Sequence, residues 1–131
     1  MLVLANGSEI RGSVESHECT LRKLAIGDDA FIDGVLASER TNRAQSGLDP
    51  KSHALVRLGA LIAVDAASPS YLDALESARA AGTSDEELVG CLIAVLPELG
   101  AARVISAAPR LGLAIGYDVV AALEDSASLP G

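Results

Sequence analysis

Residues 68–88, SPSYLDALESARAAGTSDEEL, hold a helix start, a helix, a stop and a second helix start. Ser68 is a side chain that can accept from free first-turn amides, and Pro69 has no N–H to waste in that turn. Gly82 is the residue a helix favours just past its end. Ser84, with Glu87 three positions on, is a capping box. Ser84 thus opens SDEELVGCLIAVLPELG (84–100), apolar nearly all round after its first turn. Such a helix needs cover on every side, from its own chain or from another subunit. Pro97 and Gly100 close it.

Working outward, LDPKSHALVRLGALIAVDAA (48–67) starts with Asp49 and Pro50 in the same capping arrangement. Leu55, Leu58, Leu61 and Ile62 follow the helical period, and His53 and Arg57, four apart, share another face. AARVISAAPRLGLAIG (101–116) is helical, with Pro109 kinking it or starting a fresh segment. YDVVAALED (117–125) is a short last helix and SASLPG (126–131) a tail. Toward the N-terminus, HECTLRKLAIG (17–27) and DDAFIDGVLASER (28–40) read as helices, the second with Phe31, Ile32, Val35 and Leu36 on one side. TNRAQSG (41–47) reads as a polar connector, and residues 1–15 as a loose arm. No alternating run suits a strand. The expectation is all-α: one domain over 16–125, a small bundle of about six or seven helices.

Phe31, Tyr71 and Tyr117 are the only aromatic residues, so a chain that is 50% hydrophobic builds its core from Ala, Leu, Ile and Val. The net charge of −8 repels phosphate backbones and anionic lipid, which argues against nucleic-acid and membrane partners. Cys19 and Cys91 form no joint motif, which fits a reducing compartment. No signal-peptide core or bilayer-length apolar run is present, and a soluble cytoplasmic protein is expected. There is no phosphate-cradling glycine loop and no metal-ligand set, so no cofactor or metal is expected.

From Leu48 to Tyr117, about half the chain, the sequence resembles the carboxymuconolactone decarboxylase and alkylhydroperoxidase D family. LDPKSHALVRLGALIA, ALESARAAGTSDEELVGCLIAVLP and ELGAARVISA carry the resemblance: Ala-Ala-Gly, the capped Asp-Glu-Glu-Leu helix, Pro97, Gly100 and Arg103 follow the family's order and spacing. It implies a small helical fold assembling as trimers or hexamers, with active sites near subunit contacts. Peroxidase-type members carry Cys-x-x-Cys-x-x-x-His in the helix before Ala-Ala-Gly. Those places fall here on Ala67, Ser70 and Ala74, and an assisting upstream glutamate falls near Ala54 or Leu55. Peroxide reduction needs a thiolate and a resolving thiol. A serine hydroxyl is un-ionised near neutrality, and an alanine relays no proton.

Ala67, Ser70, Ala74, Ala78 and Ala81 instead make a stripe of small residues. Either a neighbouring helix packs closer, or a small pocket remains where catalytic side chains would stand; closer packing is favoured, because interiors are dense. Ser70, Ala74, Arg57 and Arg103 are the expected border of any small organic ligand. Cys91 reads as a structural thiol. Cys19, beside His17, is the sharper redox candidate, although His-x-Cys supplies only two metal ligands. Glu98 is a proton donor or acceptor if buried, or an exposed residue paired with Arg103. Tyr71 reads as a packing anchor with its hydroxyl in water, or as a ligand's hydrogen-bond partner. His53 and Arg57 either bind an anion or occupy a solvated or subunit-contact face.

The leading expectation is a non-redox homo-oligomer, a binding or scaffold protein without catalysis. An enzyme using Glu98, Tyr71 and His53 on a small organic acid or lactone is the alternative. A peroxidase-like protein working through Cys19 and an external thiol is a third.

Overall fold

The computed structural model describes residues 16–128. The arm expected over 1–15 and the last three tail residues lie outside the described residues. Among these there are eight helices and no strand. They fall into two compact units that divide after Asp49.

The first unit holds α1 (His17–Ile26), α2 (Asp29–Leu36) and α3 (Glu39–Ser46). Ser16 caps α1, its Oγ accepting from the Cys19 amide at 3.3 Å, and Asp28 caps α2 through the Phe31 amide at 2.9 Å. The polar connector expected over 41–47 is a correction: most of it is α3. Ser38 and Thr41 form a reciprocal capping box, each side chain accepting from the other's backbone N–H at 3.1 Å. That box starts a helix inside what reads, by periodicity, as the end of the preceding one, and raises the total above six or seven. Phe31, Ile32 and Val35 are half-buried as expected, but Leu36 is exposed. Lys23 places its ammonium 5.6 Å from the Phe31 ring centre. No residue of α1, α2 or α3 is fully buried.

The second unit holds α4 (Pro50–Ala63), α5 (Ser68–Ala80), α6 (Asp85–Leu99), α7 (Ala101–Ala114) and α8 (Val119–Ser128). α7 is the hub: it packs against α4, α5, α6 and α8, while α4 also meets α5 and α6. Leu58 and Ile62 of α4, Tyr71 and Leu75 of α5, Leu88 and Leu92 of α6 and Leu111 of α7 make the core with Ala54, Ala78 and Ala107. Leu58 and Ile62 lie where the helical period puts them; Leu55 and Leu61 pack at the core's edge.

Helix ends follow local chemistry in part. The capping box at Ser84 and Glu87 forms, with bonds of 2.9 and 3.1 Å. Ser68 does not cap: it is already helical, and the cap position is Ala67, which makes no side-chain bond. Pro97 lies inside α6, which runs to Leu99, and Pro109 lies inside a continuous α7. α8 runs to Ser128, into the stretch read as tail. Gly100 joins α6 to α7 at φ 82, ψ 165, a region that only glycine populates freely.

Candidate functional site

α4 ends without a glycine, and its end builds a polar node. The Asp65 amide bonds the Ile62 carbonyl at 3.2 Å and the Ala66 amide bonds Leu61 at 3.0 Å, a Schellman closure. That closure puts Asp65 at φ 54, the one left-handed non-glycine among the described residues. The same turn aims its carboxylate at α7. Ser106 Oγ donates to Asp65 Oδ1 at 2.8 Å, and Arg110 Nη1 donates to the same oxygen at 2.9 Å and to the Ala66 carbonyl at 2.9 Å. Arg103 Nη1 faces Oδ2 at 4.0 Å. Positions 103, 106 and 110 share one face of α7 because three- and four-residue steps stack on a helix. The Ser106 bond and the two arginines hold the Asp65 carboxyl below its ordinary value, against a smaller opposing effect of desolvation.

Tyr71, three positions after Ser68 in α5, has no exposed surface, and its hydroxyl finds no hydrogen-bond partner in the protein. The expected hydroxyl in water is therefore a correction: the ring is the packing anchor, but it carries the hydroxyl inside. Burial pushes that phenol up; Arg110 opposes the shift and Asp65 adds to it.

A second feature is an apolar groove of about 510 Å³ between α4 and α6. Leu55, Val56 and Gly59 form one wall, and Gly90, Cys91, Ala94 and Val95 the other. A Cβ on Gly59 would make only ordinary contact across the groove, 3.5 Å from Val95 Cγ1. The half-buried Cys91 thiol donates to the Leu55 carbonyl at 3.5 Å, and burial raises its pKa, away from thiolate reactivity. Glu87 stands at the groove's end, paired with Lys51 at 3.2 Å. Its carboxyl is lowered first by the Ser84 backbone bond and then by Lys51.

Of the residues singled out from sequence, Arg103 comes to the Asp65 node. Ser70 is half-buried in the first turn of α5, and Ala74 is buried one turn on. His53 is 4% exposed, so the solvated face proposed for it is a correction; Arg57, one turn on, is half-buried. Glu98 is exposed at the end of α6, which removes the burial that would make it a proton carrier, and the acid facing Arg103 is Asp65. Cys19 is half-buried on α1 in the first unit. Among the described residues no three His, Cys, Asp or Glu side chains converge as a metal site.

Asp65, Ser106 and Arg110 escaped sequence reasoning. Their one signal was the polar row Arg103, Ser106, Arg110 on an otherwise apolar helix. No protein-family model, curated protein or solved structure matches the chain.

Proposed function

We propose that the chain is a non-redox, self-associating binding or scaffold protein of the carboxymuconolactone decarboxylase-like helical type. The order of motifs from Leu48 to Tyr117 supports the type, with Ala67, Ser70 and Ala74 standing where relatives carry thiols and imidazole. One observation carries the self-association: the α4–α6 face is apolar and open. Val56, in the groove, is 61% exposed, and Ile93 and Val89, which with Gly90 line an adjoining open pocket on α6, are 66% and 42% exposed. Water-exposed branched aliphatic side chains around an apolar groove favour a protein partner. A trimer or hexamer is the assembly that the resemblance implies.

Light scattering at micromolar concentration tests this reading. A stable assembly is expected, and Ile93→Asp should dissociate it while leaving the helical circular dichroism intact. A wild-type monomer would remove the reading. The purified chain is also expected to show no thiol-dependent peroxide turnover.

The enzymatic alternative keeps one supporting observation, the buried Tyr71 hydroxyl without a protein partner. Exposed Glu98 lends it nothing.

A further inference from the structure

The α4–α6 groove serves the association above; the space between α6 and α8 has no part in it. We infer that this space, closed on its third side by α7, is a binding pocket for one small uncharged molecule with a hydrocarbon body, a single ring or a short alkyl chain.

Helix packing makes the pocket. α6 and α8 both lie against α7, yet their backbones do not approach one another. Gly112 fixes where α8 sits. A Cβ there would lie 2.8 Å from Val119 Cγ2, so only glycine lets the start of α8 come this close to α7. Seated there, α8 stops short of α6, and a pocket of about 240 Å³ lies between them. Leu92 and Leu111, both buried, form its floor, and the half-buried Ala108, Ile115 and Val119 its walls. Val89 and Tyr117, the more exposed members, stand at the mouth.

The lining sets the chemistry of the ligand. No residue in it is charged, and the one polar side-chain group is the Tyr117 hydroxyl at the mouth. The amides of the adjoining turn are engaged: Ile115, Gly116 and Tyr117 donate to the Leu111, Leu113 and Gly112 carbonyls at 3.0, 3.1 and 2.7 Å. An ion entering here would lose its hydration and gain no partner in return. A water molecule needs about two to four polar partners, which these walls do not offer. Hydrocarbon loses nothing by entering and leaves water behind. The same three bonds hold the turn in place, so the pocket is formed before anything enters it.

Size decides between a small molecule and a protein segment. A helix with its side chains is about 10–12 Å across, too thick for this space. An apolar cavity of about 150 Å³ accepts benzene, so the pocket has room for roughly six to ten carbon atoms.

Methyl NMR and thermal unfolding of the full chain test the inference, with toluene and 1-hexanol as probes and 1,6-hexanediol, polar at both ends, as control. Toluene or hexanol should shift the methyl signals of Leu92, Leu111, Ile115 and Val119 saturably and raise the melting temperature, with an apparent Kd on the order of a millimolar or tighter. Hexanediol at the same concentration should do neither. The tighter probe tells ring from chain. Ala108→Leu fills the pocket from its α7 wall and should weaken binding at least tenfold. If that variant does not fold, Val89→Phe at the exposed mouth makes the same test. The pocket is overturned by no saturable shift with either probe, by an equal response to hexanediol, or by undiminished binding in the folded variant. The same titrations on Ile93→Asp keep the result separate from self-association, because residue 93 lies outside the pocket.

Discussion

Asp65 shows how much one side chain can decide. Its pKa is depressed in the folded chain, with the Ser106 bond as the leading cause. Its contribution to stability is therefore fully present above the unfolded carboxylate value of about 3.9 and is lost as pH falls through the lower folded value. Urea denaturation of the chain and of Asp65→Asn should show a gap in midpoint that is constant above about pH 5 and closes in more acid solution. Tyr71→Phe works in the opposite direction. It removes a buried hydroxyl that has no protein partner and should stabilise the chain by about 1 kcal/mol in the same assay. Neither effect is legible from sequence. An aspartate after a helix reads as a loop residue until the backbone puts it at a positive φ, and a tyrosine's hydroxyl is wet or dry according to neighbours far along the chain.

Elements start and stop largely by local rules, and the exceptions have local causes. Ser84 and Glu87 make the box that their spacing predicts, and Ser84→Ala should cost about 1 kcal/mol in a denaturant titration. Ser38 and Thr41 make a second box that overrides the apolar period of the preceding segment, which is why α2 and α3 are separate helices. Gly112 is a long-range requirement inside α7. A Cβ there would lie 2.8 Å from the Tyr117 carbonyl oxygen and 2.8 Å from Val119 Cγ2. Gly112→Ala must push the α7–α8 turn away and should destabilise the chain by roughly 1–3 kcal/mol. Nothing in the order of residues marks that glycine, because its neighbours are Tyr117 of the α7–α8 connection and Val119 at the start of α8.

On the molecular scale the second unit is organised around α7. Leu111 is 1% exposed at the centre of that packing, and Leu111→Ala should cost about 2–5 kcal/mol on thermal unfolding. The proposed self-association would cover the α4–α6 groove, and Ile93→Asp on the adjoining surface of α6 is the substitution that reads it out by light scattering. Among the described residues no single helix is long and apolar enough to cross a membrane; α7 and α8 reach that length only as a pair bent by 105°.

Composition, helical periodicity and capping chemistry by themselves determined that the described chain is all helix, that Leu58 and Ile62 face inward, and where α1 and α6 begin. Those are short-range properties, because hydrogen bonds and stacking within a few residues govern them. Tertiary structure alone decided that Tyr71 is dry, that His53 is buried and Glu98 is not, and that Asp65 collects Ser106 and Arg110 from more than forty positions away. Those outcomes depend on which helix faces approach one another, and that is a property of the packed chain rather than of any segment in it.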